Sequence, residues 1–233
     1  MKSENCNFMD AVKFLANKYG IPIPERQKTA QEIAREQKAK QVIATNELAA
    51  KFYQACLTKT PYGKAALDYL HNRGITDDII EDFSMGFAIN SFNGLMNALG
   101  KRGYNGEMLM QAGLAVPGKN GGAYDKFRGR VMIPIKDPRG RIVGFTGRIL
   151  GDGMPKYMNT GETEFFIKRY LLFGLDIAVN EIRKTRQAIV VEGHMDAISL
   201  HAAGVKNAVA SMGTAFAAEQ ARLLKRMADE VVF

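Results

Sequence analysis

Apolar and polar positions change their period several times along this chain, and each change marks an element. Phe8, Val12, Phe14 and Leu15 recur at near-helical spacing, with Asp10 early enough to favour the helix's positive end. Gly20-Ile21-Pro22-Ile23-Pro24 stops that helix, because proline supplies no amide donor and disfavours a helical residue before it. Residues 25–44 are rich in Gln, Glu, Lys, Arg and Ala and show little apolar face, which predicts a solvated helix or linker. From Thr45 a stripe returns at Leu48, Phe52 and Cys56, and Thr60-Pro61-Tyr62-Gly63 interrupts it. A second helix with Ala66, Leu67 and Leu70 closes at Arg73-Gly74, and Thr76 is placed to cap a third holding Ile79, Ile80 and Phe83.

Residues 84–125 mix short apolar runs with many glycines around a predicted helix from Phe92 to Leu99. Gly118-Lys119-Asn120-Gly121-Gly122 reads as a hairpin tip; the spacing and Lys-Ser/Thr pair of a phosphate loop are absent. The clearest strand signal follows. Val131, Ile133 and Ile135 alternate, Asp137-Pro138-Arg139-Gly140 turns the chain, and Arg141-Ile142-Val143-Gly144-Phe145 returns. Pairing across that turn is expected to bring Arg128 and Arg130 of one strand near Arg148 of the other. Three guanidiniums together make either a phosphate site or a solvated basic hairpin end.

A second basic cluster, Pro155-Lys156-Tyr157-Met158-Asn159 and Ile167-Lys168-Arg169, is interleaved with Tyr157, Phe165 and Phe166. Cations beside aromatic faces suit nucleotides, which offer a phosphate and a stacking surface. After a helix through Ile182 comes the stretch that organises the chain: Ala188-Ile189-Val190-Val191, then Glu192-Gly193-His194-Met195-Asp196, a helical pattern through Val205, and Ala208-Val209-Ala210. This is a strand–helix–strand unit, and an acid at the carboxyl end of a parallel strand faces the crevice where ligands bind. Glu192 is therefore the first candidate catalytic residue.

Composition adds a partner class. The 233 residues carry a net charge of +8, which favours polyanions. Cys6 and Cys56 are too few for a disulfide framework or a zinc site. No run approaches the roughly 20 apolar residues of a membrane span, and no apolar signal core follows Met1, so a cytoplasmic protein without membrane contact is expected.

Several stretches, taken in order, resemble the bacterial-type DNA primases, the DnaG family. They are Tyr69-Leu70-His71-Asn72-Arg73-Gly74-Ile75, Phe127-Arg128-Gly129-Arg130-Val131-Met132-Ile133-Pro134-Ile135, Gly140-Arg141-Ile142-Val143-Gly144-Phe145-Thr146-Gly147-Arg148, Pro155-Lys156-Tyr157-Met158-Asn159, Leu172-Phe173-Gly174-Leu175 and Val191-Glu192-Gly193-His194-Met195-Asp196. Two departures stand out: Ile167-Lys168-Arg169 replaces the usual His-Lys-Gly, and His194 stands where Tyr is common.

The resemblance implies an α+β catalytic core: a mixed α/β basic N-terminal subdomain followed by the first part of a Toprim domain, a parallel-sheet α/β module. Residues 1–24 would be the tail after a zinc-binding domain, 25–44 a charged linker or helix, 45–185 the N-terminal subdomain and 186–233 the truncated Toprim domain. By position Glu192 matches the Toprim acid and Asp196 the acid after it, which either balances metal charge or caps the following helix. Arg128, Arg130, Arg148, Lys156, Asn159 and Lys168 match a basic cleft for template, nucleotide or primer.

The implied reaction is DNA-directed synthesis of RNA primers on single-stranded DNA by nucleotidyl transfer dependent on Mg²⁺ or Mn²⁺, with Glu192 as a metal ligand. Ribonucleoside triphosphates and the RNA primer are the implied partners. The chain is expected to stop before the family's Asp-x-Asp pair and to be inactive alone. Zinc, and contact with the replicative helicase, would belong to missing N- and C-terminal domains. A non-catalytic module binding single-stranded nucleic acid, or another Toprim enzyme such as a topoisomerase or nuclease, are the alternatives.

Overall fold

The computed structural model describes residues 8–20, 28–119, 121–212 and 216–233. Cys6, Ile21-Pro22-Ile23-Pro24, Asn120 and Thr214 lie outside the described residues. Two units divide the chain, Met1–Gln37 and Lys38–Phe233. In the first, α1 (Phe8–Tyr19) ends at Gly20, whose φ of 64° is a conformation that suits glycine. α2 (Ala30–Thr58) runs through position 45 without a break, since neither glycine nor proline occurs between residues 25 and 60. The charged stretch and the apolar stripe are thus parts of one helix.

In the second unit α2 buries Val42, Thr45, Asn46, Ala49, Ala50, Tyr53, Cys56 and Leu57, while Leu48 and Phe52 of the expected stripe flank this face half-buried. Small residues let it lie close on a strand: a Cβ at Gly86 would meet Tyr53 Cβ at 2.5 Å. α3 (Lys64–Asn72) and α4 (Asp77–Asp82) follow. Thr76 stands at the cap position in extended backbone but makes no side-chain cap bond, and Phe83 falls just past the helix end. β1 (Gly86–Ala88), α5 (Gly94–Gly100) and α6 (Gly106–Gln111) lead into the glycine-tipped hairpin β2 (Ala115–Pro117) and β3 (Ala123–Asp125). β4 (Arg130–Lys136) and β5 (Ile142–Ile149) form the long hairpin, and β6 (Tyr157–Asn159) is a strand the sequence pattern does not announce.

β1, β4, β5 and β6 make one antiparallel sheet in the order β1-β4-β5-β6. β4 is buried at every position but Lys136, because both faces are covered. Val131, Ile133 and Ile135 join one core with Leu70, Ile75 and Phe83, and Met132 and Phe145 join a second with Ala49, Tyr53, Leu95 and Leu109. Asn46, fully buried on α2, donates to the Ile142 carbonyl at 3.2 Å and ties the helix to the hairpin.

α7 (Leu175–Thr185), β7 (Gln187–Val191), α8 (His194–Ala202), β8 (Ala208–Ala210), α9 (Ala218–Lys225) and β9 (Glu230–Val232) complete the chain. β8-β7-β9 is a parallel sheet, and β7, α8 and β8 are the expected strand–helix–strand unit. Met195, Ala197 and Ile198 of α8 and Ala210 of β8 belong to the core that holds Val131 and Ile133, so the parallel unit is packed onto the antiparallel sheet through shared apolar contacts.

Candidate functional site

The site is built where the carboxyl end of β7 meets β5 and β6 of the antiparallel sheet. Glu192 follows β7 and is exposed; Gly193 is the N-cap of α8, with extended backbone and no side-chain cap bond. Asp196 lies in the helix's first turn, also exposed, and folds back over the turn: a Cβ at Gly193 would lie 2.7 Å from Asp196 Oδ2. An acid there is favoured by the helix dipole.

His194, the first residue of α8, carries the turn to the sheet. Its Nε2 is 3.5 Å from Thr146 Oγ1 of β5, and its ring stands edge-on to Tyr157 of β6 at 5.0 Å and to Phe173 at 5.7 Å. Burial pushes the imidazole down to about 4, against a smaller upward pull from Asp196, so it is neutral near pH 7.

The register decides which basic side chains face this turn. Thr146 pairs with Asn159 and Arg148 with Tyr157, so these four share one face. Arg130 is opposite Ile149 and Arg148 opposite Val131, which puts the two arginines on opposite faces. Arg128 precedes β4, separated from Arg130 by Gly129 at a φ of 60°. The three guanidiniums expected at one end of the hairpin therefore do not converge.

Each has its own surroundings. Arg148 lies 4.4 Å over the Tyr69 ring, which also takes Arg73 at 5.3 Å, and 5.9 Å from the Tyr157 ring. Arg128 stacks on Phe92 at 4.5 Å and Tyr124 at 5.3 Å, and donates to the Asp125 carbonyl. Arg130 is 4% exposed and donates from Nη1 to the carbonyls of Gly147 at 3.1 Å, Pro155 at 2.9 Å and Lys156 at 3.5 Å. Burial, then the Arg128 charge, lowers its guanidinium below the ordinary range. Arg130 binds backbone, and that bonding fixes the segment from which the exposed Lys156 side chain projects.

Lys168 opens a short 3₁₀ turn; its amide donates to Glu162 Oε1 at 3.3 Å, and the buried Gln220 amide donates to its carbonyl at 3.4 Å and to that of Leu171 at 2.7 Å. Lys126 is a further cation of the site. Its Nζ donates to the Asn159 carbonyl at 2.8 Å, and burial followed by the nearby Lys168 charge lowers its ammonium. Phe92, Tyr124, Tyr69, Arg73 and Lys126 are not among the candidate site residues that the sequence marks, although Tyr69 and Arg73 stand in one of the family stretches. The Lys126-Phe127-Arg128 run carries a further signal, a basic pair just ahead of the hairpin.

Glu192 and Asp196 can supply part of the oxygen shell of a divalent ion, which commonly takes one or two carboxylates with waters and phosphates. They do not make a complete site, and among the described residues no three His, Cys, Asp or Glu side chains gather as ion ligands.

A family profile described as DNA primase catalytic core, N-terminal domain, matches residues 52–179, more than half the chain, and a Toprim domain profile matches residues 186–233. The chain belongs to the DNA primase family. The DNA primase of Pseudomonas putida is 39% identical over 234 residues, spanning 100% of this chain and 36% of the relative, so the chain covers little more than a third of such a primase. The Escherichia coli primase catalytic core is similar in structure, with a TM-score of 0.75 and 38% identity over 82% of this chain and 60% of that one. A DnaG primase catalytic domain bound to single-stranded DNA has a TM-score of 0.77 and 37% identity, covering 84% of this chain and 61% of that one. The α+β fold with a Toprim-like parallel sheet is the primase core fold. Primase and Toprim domains generally depend on metal.

Proposed function

We propose that this chain forms the template and nucleotide face of a DNA primase, a DNA-directed RNA polymerase that lays down short RNA primers on single-stranded DNA, together with the first acid of its Toprim centre. One observation carries the reading: the turn bearing Glu192 is seated, through His194, on the strand face that carries Arg148 and Asn159. An acid and a cationic strand face brought to one place suit phosphoryl transfer, in which a hydroxyl attacks the α-phosphate of a ribonucleoside triphosphate and pyrophosphate leaves.

In that reaction Arg148, Lys156 and Lys168 hold phosphates of template, nucleotide or primer, with Lys126 beside Lys168 and Asn159 as a polar contact. Arg128, between the exposed Phe92 and the half-buried Tyr124, offers a cation flanked by base-stacking rings. Arg130 serves by holding the Lys156 segment. Glu192 would act as a ligand to Mg²⁺ or Mn²⁺ or as an acid or base beside it, and Asp196 balances charge at the same turn or supports the helix end. The cytoplasm is the location this activity implies, and the replicative helicase is a further partner it implies.

Fluorescence anisotropy with a labelled single-stranded oligonucleotide across a salt series tests the binding half. Each lost phosphate contact lowers the log–log salt slope by about 0.7, so Lys156→Ala/Lys168→Ala should flatten it by about 1.4 and weaken binding roughly 25-fold at 0.1 M salt. Unchanged affinity and slope would remove these lysines from the site. Glu192→Gln in the full-length enzyme should abolish primer synthesis and leave the salt slope intact; retained synthesis would show that Glu192 is not catalytic.

A further inference from the structure

The contacts of His194 join two features that are separated by more than thirty residues of sequence. Glu192 is exposed on a turn whose cap residue, Gly193, offers no side chain to anchor it. Thr146 and Arg148 are two apart on β5, Tyr157 and Asn159 two apart on β6, and the register matches Thr146 with Asn159 and Arg148 with Tyr157. The His194 ring touches one member of each pair: its Nε2 approaches Thr146 Oγ1 at 3.5 Å, and its plane meets the Tyr157 ring at 88° with centroids 5.0 Å apart. The other members, Arg148 and Asn159, are candidate nucleotide or nucleic-acid contacts. Phe173, edge-on at 5.7 Å, backs the imidazole and is itself bonded to Ala210 of the parallel sheet by a pair of backbone hydrogen bonds, of 2.9 and 3.0 Å.

We propose that His194 is a positioning residue: its ring locks the Glu192 turn in register with the Arg148–Tyr157 and Thr146–Asn159 pairs, setting the distance between the acid and the phosphates it must act on. The proposal rests on the primase reading above. The ring acts through shape. It is held edge-to-face by two aromatic rings, a geometry that contributes beyond plain burial, whereas the contact to Thr146 is at the long limit of a hydrogen bond. Without the ring the turn keeps its attachments to β7 and α8 but loses its side-chain hold on the β5–β6 face, and an error of about 1 Å in placing a reacting group can cost about 100-fold in rate.

The test uses the full-length enzyme with His194→Ala and His194→Phe, the second keeping the ring contacts to Tyr157 and Phe173. Expected for His194→Ala is a fall in kcat of about tenfold or more, with KM for ribonucleoside triphosphate and template affinity within about twofold of wild type. His194→Phe should recover kcat to within about threefold. Hydrogen exchange, which needs no activity, should show faster amide exchange at residues 157–159 and 192–196 together in His194→Ala, restored in His194→Phe. A His194→Ala enzyme with wild-type kcat and exchange overturns the proposal, as does a loss confined to KM or template affinity, or a His194→Phe enzyme as impaired as His194→Ala. If the wild-type enzyme makes no primer, the primase reading fails, and the exchange measurement still decides whether His194 holds the turn.

Discussion

Arg130 separates two ways a basic residue can serve a nucleic-acid site. Replacing it with Met keeps most of the side-chain volume and removes the charge. The guanidinium makes two well-formed hydrogen bonds to carbonyls, at 3.1 Å to Gly147 and 2.9 Å to Pro155, and a long one at 3.5 Å to Lys156. A bond to a charged group contributes about 1.5–3 kcal/mol, so the two good ones come to roughly 3–6 kcal/mol. Part of that is regained because a buried cation no longer has to be stripped of water. The expected net loss is about 2–4 kcal/mol, which in a chain of this size lowers Tm by about 5–15 °C. Thermal melts followed by circular dichroism measure this directly. The anisotropy salt series should show little change in slope for Arg130→Met but a flattening of about 0.7 for Arg148→Met. A Tm within about 1 °C of wild type, combined with a slope flattened by about 0.7 in Arg130→Met, would refute the reasoning and place Arg130 on a phosphate.

Two further outcomes follow from buried charges. Lys136 and Asp176 are 3.2 Å apart with side chains 18% and 14% exposed, so Asp176→Asn should cost about 3 kcal/mol by stranding the ammonium, while Lys136→Met/Asp176→Leu should return close to wild type. Denaturant midpoints measure both, and a double variant as unstable as Asp176→Asn would show that the loss does not come from a stranded ammonium. His201 is buried and its imidazole is depressed, chiefly by burial, although its Nε2 sits 2.9 Å from the Ala208 carbonyl. The unfolded imidazole takes a proton near pH 6.5 and the folded one resists it, so stability is complete above about pH 6.5 and is lost as pH falls toward the lowered folded value. Melts from about pH 7.5 down to about pH 5 should show a shallower decline in His201→Phe than in wild type; parallel profiles would assign the acid sensitivity to other groups.

Much of the architecture was legible from local pattern. The Val190-Val191-Glu192-Gly193 transition marks a strand that stops at an acid, the glycines at Gly118, Gly121 and Gly122 mark a hairpin tip, and the Asp137-Pro138-Arg139-Gly140 turn marks the long hairpin. These features depend on backbone preferences within a few residues, and the ordered motifs were sufficient to assign the family. β6 escaped because three residues with one aromatic carry no period, and α2 was divided because its surroundings change from solvent to core while its helical backbone does not.

What the sequence by itself determined is most of the elements, the excess of positive charge and the presence of an acid at a strand end. The tertiary structure alone decided which side chains meet. A strand's alternation reveals its inner face only when the other face is wet, and β4 is covered on both, so nothing local distinguishes Arg130, turned inward onto three carbonyls, from Arg148, turned toward Tyr69. Register settles that, and register is a property of pairs of strands. The contact between His194 and Thr146 joins residues 48 apart and exists only because α8 packs its apolar face on the sheet. Glu192 could be found by reading along the chain; what it faces could not, since burial and distance belong to the packed whole.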